Sequence, residues 1–339
     1  MSKPSVLVIY TGGTIGMVKD AVSGALMPVN IDLLLQYIPE LQRIEADISI
    51  AAFEQTIDSS DITPKHWIQL VDIIERNYAL FDGFVILHGS DTMAYTASAL
   101  SFMLENLSKP VILTGAQLPI GVLRSDAKEN FITALELALL KENGRPKINE
   151  VCIYFEYHLF RGNRTTKFSA SHFNAFLSPN YPALAEAGVH IQIEENHLLP
   201  PPVSPPVFHN KLDPNIATLR LFPGIGPEQI KAVCSIPGLK ALILETYGSG
   251  NGPTADWIVE LLQQTIREGV LMVNVTQCLN GAVLQGKYKT SQQFLNCGVI
   301  GFADITIEAA ITKLMFLLAN YPMADVIPQI NVPLRGELS

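Results

Sequence analysis

Residues 83–88 read Gly-Phe-Val-Ile-Leu-His, and a strand apolar on both faces, as this one is from Phe84 to Leu87, has to be covered on both sides. A parallel sheet held between helices meets that demand. The rest of the first half supplies matching pieces. Short runs rich in Val, Ile and Leu at 5–10, 48–54, 110–114, 151–156 and 188–193 alternate with helical patterns at 63–80, 92–107 and 126–142. Thr63-Pro64 is a helix start, with a capping hydroxyl and then a proline whose missing N–H costs nothing at the first helical position. The alternation predicts an α/β fold with a mostly parallel sheet flanked by helices.

Leu199-Pro-Pro-Pro-Val-Ser-Pro-Pro206 breaks the pattern with five prolines in residues 200–206, which cannot join a sheet interior and favour an extended spacer. Beyond it, strand patterns near 216–221, 240–245, 270–275 and 298–302 alternate with helical ones at 227–235, 254–268 and 307–320. With 339 residues available, two domains are expected. The larger spans 1–195, a proline-rich linker spans 196–214, and a smaller Rossmann-like α/β domain spans 215–339.

Charge narrows the choice of partners. Charged residues are only 16% of the chain and the formal net charge is −9, so neither a nucleic acid nor an anionic membrane has a basic face to meet. No uncharged apolar run approaches the ~20 residues that would span a bilayer, and the run at Val6–Tyr10 is too short for a secretion signal. Cys152, Cys234, Cys278 and Cys297 lie too far apart for a zinc motif or a disulfide framework. Free thiols in a reducing, cytoplasmic setting are expected, with no metal and no cofactor.

Ligands of open parallel sheets bind beyond the C-terminal ends of the strands, so the residues just past each strand matter most. After the first comes Thr11-Gly-Gly-Thr14-Ile-Gly16. It lacks the Gly-Lys-Ser/Thr of a phosphate loop, and its glycine spacing is not that of a dinucleotide fingerprint. It is either a plain tight turn or a reactive loop whose amides aim at a developing oxyanion. After the second comes Asp58-Ser59-Ser60-Asp61, where Asp61 or Thr63 can cap the next helix and two serines and a carboxylate remain. After the third comes His88-Gly-Ser90-Asp91-Thr92, again open to reading as a helix cap; His88 is read as a satisfied core histidine. Arg161-Gly-Asn-Arg-Thr-Thr-Lys167 reads as a solvated basic loop, odd in so charge-poor a chain, that can supply a lysine to a site. Hydroxyls, an Asp, a lysine and glycine-loop amides together fit nucleophilic attack on a small polar substrate, and a desolvated lysine can serve as base.

At these residues the chain resembles the bacterial-type L-asparaginases, in their type I, cytoplasmic branch. The likeness rests on Tyr10-Thr-Gly-Gly-Thr-Ile-Gly, Asp58-Ser-Ser-Asp, Gly83 to Thr96, Leu123-Arg-Ser-Asp and Arg161 to Lys167. It continues through Tyr247-Gly-Ser-Gly-Asn, Thr276-Gln-Cys and Leu334-Arg-Gly-Glu-Leu, so it covers essentially the whole chain. The resemblance implies that Thr14 is the nucleophile of an acyl-enzyme, assisted by Ser90, Asp91 and Lys167. Asp58, Ser59 and Ser60 would hold the substrate's α-carboxylate and Asp91 its α-ammonium, with an oxyanion hole from amides near Gly13 and Ser90. It implies L-asparagine as substrate, L-glutamine more weakly, and a homodimer or homotetramer whose Tyr247–Asn251 loop completes a neighbour's site.

Three departures from the family pattern stand out. Ser90 occupies the place of a threonine, so the hydroxyl survives without the methyl that stiffens its rotamer. The segment Gly24-Ala-Leu-Met-Pro28 has no tyrosine where family members often carry one. A second, regulatory asparagine site would fall on Thr246, Tyr247 and Thr276, but Glu245 replaces an expected arginine, which predicts weak or absent allostery. A tRNA-dependent amidotransferase subunit shares the same core, yet the acidic chain, starting at its first strand, favours the free enzyme. A non-catalytic amino-acid sensor of the same fold is the other reading.

Overall fold

A computed structural model describes residues 3–19, 26–28, 37–286 and 289–339. The chain divides into two compact units, Met1–Asn210 and Lys211–Ser339.

The first unit is built on one eight-stranded sheet. Its strands are β1 (Ser5–Tyr10), β2 (Asp47–Ala52), β3 (Gly83–Leu87), β4 (Val111–Thr114), β5 (Val151–Phe155), β6 (His158–Arg161), β7 (Ala185–Ala187) and β8 (Ile191–Ile193). The order across the sheet is β8-β7-β6-β5-β4-β3-β1-β2, with β2, β1, β3, β4 and β5 parallel and the last three antiparallel. Every residue of β3 is buried, as its sequence demands. Val85 and Leu87 pack against Phe131, Ala134 and Leu135 of the helix Ala127–Leu139, while on the other face Phe84 stacks on Tyr78 at 5.9 Å between ring centres.

Among the described residues, three helices flank this sheet: α1 (Pro64–Asn77), α2 (Met93–Met103) and α3 (Ala127–Leu139). Thr63 is the N-cap of α1, and His66 accepts the Thr63 N–H through Nδ1 at 3.0 Å. Around α2 every residue but Tyr95 is buried. Its C-terminal end departs from the sequence reading: Leu104–Glu105 leaves the helix and pairs antiparallel with Val207–Phe208. The expected strand at 188–193 is instead the hairpin of β7 and β8, because Gly188-Val189-His190 turns the chain, with Val189 fully exposed. Residues 196–210, read as linker, belong to the first compact unit: Leu199 donates its N–H to Glu150 Oε1 at 2.8 Å, and Phe208 meets Tyr78 edge to face.

The second unit carries a parallel four-stranded sheet in the order β9 (Ile216–Arg220), β10 (Ala241–Thr246), β11 (Leu271–Thr276), β12 (Ile300–Gly301). Its helices are α4 (Pro227–Cys234), α5 (Asp256–Arg267), α6 (Lys289–Cys297), α7 (Ile307–Asn320) and α8 (Met323–Gln329). Leu242, Leu244 and Met272 of the sheet pack against Ile230, Ile258, Leu262 and Phe294 of the helices. Among the described residues no helix is long and apolar enough to cross a membrane.

Candidate active site

The polar clusters at the ends of β1, β2 and β3 converge. The loop after β1 is anchored at Thr11, which donates both N–H and hydroxyl to Leu87 O, at 3.1 and 3.0 Å, and receives Ile57 N–H on its carbonyl at 2.8 Å. Gly13 then takes a positive φ of 87°, and a Cβ there would meet the Gly89 backbone at 2.5 Å. Only glycine allows this approach. It brings the start of the 3-10 turn Thr14–Gly16 beside the loop after β3. Tyr10 closes the turn from below by donating its hydroxyl to Gly16 O at 3.3 Å. Burial pushes that phenol up to about 12, so it stays a neutral donor.

After β2, the Asp58 carboxylate accepts the N–H and the hydroxyl of Ser60, both at 2.9 Å. These bonds, the backbone one first, hold Asp58 below its ordinary value. Ser59 is buried, and its carbonyl receives the Thr92 hydroxyl at 2.6 Å. That contact ties the second loop to the third. Thr92, rather than Ser90 or Asp91, stands at the N-cap position of α2.

Ser90 and Asp91 are thereby free for Lys167. The Lys167 ammonium donates to Ser90 Oγ at 2.8 Å and to Asp91 Oδ1 at 2.7 Å. Lys167 reaches the site because the segment before it is not a solvated loop at all. Arg161 through Thr166 are all buried. Arg161 pairs with the buried Glu150 at 2.6 Å, donates to His197 O at 2.7 Å, and lies 4.4 Å from the centre of the Tyr181 ring. The two arginines are structural, and the lysine alone is offered outward.

These residues enclose a cleft of about 200 Å³ whose polar lining includes Thr14, Asp58, Ser59, Ser90, Asp91 and Lys167. Ser60 does not line it, being turned to Asp58. Gln117, in the loop after β4, also lines the cleft and accepts the Ser90 hydroxyl on Oε1 at 3.1 Å. Gln117 is not singled out by the sequence motifs; the signal available is its place after a strand end, in the same position as the other three clusters. His88 is fully enclosed, with Nδ1 2.7 Å from Gly89 O and Nε2 2.9 Å from the Thr96 hydroxyl. Burial lowers it to about 4, so it is a structural neutral imidazole. A larger hollow of about 650 Å³ lies elsewhere, by Glu142 and Pro200, but its Lys147 is held by Glu142 and Glu195 and no nucleophile lines it. The smaller cleft is the one that gathers hydroxyls, carboxylates and a lysine. Of the segment Gly24–Pro28, Gly24 and Ala25 lie outside the described residues; Leu26–Pro28 pairs with Met17–Lys19.

In the second unit, Thr246 and Thr276 face each other across β10 and β11. Their hydroxyls are engaged internally, Thr246 with Asn274 Oδ1 at 2.6 Å and Thr276 with Gly248 O at 2.5 Å. Tyr247 comes next, half-buried, and Glu245 is ion-paired with Arg220 at 3.1 Å.

Comparison with known proteins matches both halves of this architecture. The asparaginase N-terminal family model covers residues 5–199, and the glutaminase/asparaginase C-terminal domain covers 215–330. The chain is 43% identical over 341 residues to L-asparaginase 1 of Escherichia coli, spanning all of this chain and 99% of that one. Among solved structures, L-asparaginase I of Vibrio cholerae superposes with a TM-score of 0.90 at 40% identity, with both chains fully covered. The thermostable L-asparaginase of Thermococcus kodakarensis gives 0.90 at 34% identity over 99% of each chain. Two family domains in order, full-length relatives and a cleft where three strand-end clusters meet lead to one conclusion: the chain belongs to the asparaginase family.

Proposed function

We propose that this protein hydrolyses L-asparagine to L-aspartate and ammonia through an acyl-enzyme on Thr14. Thr14 Oγ attacks the side-chain amide carbon, and the oxygen that becomes negative is received by backbone N–H groups near Gly13 and Ser90, often the largest catalytic contribution in acyl transfer. Collapse of the tetrahedral species breaks the C–N bond, and the nitrogen leaves as ammonia with the proton that the Thr14 hydroxyl gave up. Water then attacks the ester, with Ser90, Asp91 and Lys167 moving a water proton to the Thr14 oxygen as the acyl C–O bond breaks, which frees L-aspartate and restores the hydroxyl. Asp58 and Ser59 orient the substrate's α-carboxylate group, Asp91 takes the α-ammonium, and Ser60 acts through Asp58.

The observation that carries this reading is the lysine. Its ammonium touches Ser90 Oγ and Asp91 together, inside the cleft that Thr14 lines. Full-length likeness to L-asparaginase 1 favours the free amidohydrolase over an amidotransferase subunit. L-Glutamine is proposed as a weaker substrate, a cytoplasmic location fits four free cysteines, and a homodimer or homotetramer is proposed from the family.

The test is ammonia release from L-asparagine and L-glutamine. Thr14→Ala and Lys167→Met should each lower asparagine turnover by roughly a thousandfold or more, as expected when a nucleophile or its proton partner is removed. Near-normal turnover by Thr14→Ala overturns the mechanism. Asparagine binding by the wild type without any turnover would identify a sensor instead.

A further inference from the structure

Ser90 sits between two groups whose hydrogen-bonding roles are fixed. The Lys167 ammonium can only donate, so at 2.8 Å it must use a lone pair of Ser90 Oγ. Gln117 Nε2 faces the His172 carbonyl at 2.9 Å, and a carbonyl can only accept. That sets the orientation of the amide, with Oε1 towards Ser90 at 3.1 Å. The Ser90 proton is therefore aimed at Gln117, away from the lysine. One donor and one acceptor on a single hydroxyl define its rotamer as a β-methyl would.

The backbone of Gln117 is itself held. The Asp126 carboxylate accepts Gln117 N–H through both oxygens, at 3.1 and 2.9 Å, and Leu118 N–H at 3.1 Å. Asn130 donates to Asp126 at 3.2 Å and to Gly115 O at 3.0 Å, and both Asp126 and Asn130 are buried. A chain of fixed groups thus runs from α3 to the Ser90 hydroxyl.

We propose that Gln117 is a positioning residue for this reaction: it holds the Ser90 hydroxyl in one rotamer with its proton parked off the lysine, supplying the restraint that serine, lacking a methyl, does not have. The proposal rests on the reading of Ser90 as a participant in amide hydrolysis. Gln117 parks the proton where a small rotation about the Cβ–Oγ bond brings it to an incoming acceptor.

The experiment pairs crystals with a double-mutant cycle. In Gln117→Leu the Ser90 hydroxyl should spread over more than one rotamer, with kcat for L-asparagine down roughly tenfold, KM within about threefold and the melting temperature unchanged. In a Ser90→Thr background, where the β-branch restores stiffness, the same change should cost less than about threefold. Gln117→Met, closer in length, replaces the leucine variant should that one not fold. A single unchanged Ser90 rotamer in the variant crystals overturns the proposal, as does an equal loss of kcat in both backgrounds. The crystallographic result is read without turnover, so a wild type that releases no ammonia would sink the amidohydrolase reading and still leave Gln117 judged.

Discussion

His88 has both ring nitrogens committed inside the core. Gly89 O can only accept, so Nδ1 carries the hydrogen and Nε2 is the acceptor of the Thr96 hydroxyl, which in turn receives Trp67 Nε1–H at 2.9 Å. A second proton would leave Nε2 facing a hydroxyl already committed as donor, in a fully enclosed site. The depressed value of about 4 means that the unfolded chain, near 6.5, binds this proton first as pH falls. Stability is therefore full above about 6.5 and declines towards about 4, by about 3 kcal/mol at most for this one group. Urea unfolding at pH 7 and pH 5 should show a larger loss in the wild type than in His88→Gln, which cannot titrate. Equal losses would show that the imidazole is not the group responsible. The serine-for-threonine change at residue 90 belongs to the same scale, since its meaning depends on two neighbours that only the folded chain reveals.

At the scale of elements, the most instructive segment is Arg161–Lys167. Three cations in seven residues read naturally as a solvated loop, yet Arg161 and Arg164 are both buried, at 5.2 Å or less from the Tyr181 ring centre. A guanidinium can be stored this way because its flat face stacks on an aromatic ring while its edge bonds a carboxylate. Nothing in the local sequence announces that partner: Glu150 lies in the bend before β5 and is recruited by the fold. Replacing Glu150 by Gln leaves the Arg161 charge buried and unmatched, which should cost roughly 3–5 kcal/mol of stability. It should also lower kcat, because Lys167 is placed by this same anchor. Chemical unfolding and turnover measured on Glu150→Gln check both; a variant with wild-type stability would show the pair to be dispensable. By contrast, the elements that carry Thr14, Ser59 and Ser90 were legible, since an all-apolar strand running into small polar residues has few other uses. The β7–β8 hairpin and the Leu104–Glu105 strand were not legible, because a run of two or three residues has too little periodicity to declare itself.

Over the whole molecule, two mostly parallel sheets were legible from alternation alone. What alternation did not mark was the stretch 196–210, whose prolines advertise a spacer while Leu199 and Phe208 bind it to the first unit. The end of the chain is fastened in a similar way within the second unit. Lys313 is wholly buried on α7 and donates to the carbonyls of Ile330 and Val332, both at 2.7 Å, and to Glu337 at 2.6 Å. Burial lowers this ammonium against the pull of Glu337. Glu337→Ala should therefore destabilise by about 3–5 kcal/mol, as breaking a buried pair does, and thermal unfolding would reveal it. No change in melting would mean that the tail is merely laid over the unit. The contact of Gly13 with Gly89 has a further bearing on redesign. A methyl group at Gly13 would push on the Gly89 backbone and one at Gly89 on the Ser59 side chain, so the three loops must be altered together or left alone. Widening the cleft for bulkier amides is then a task for the rim at Met17 and Ala170, where side chains rather than two backbones set the opening.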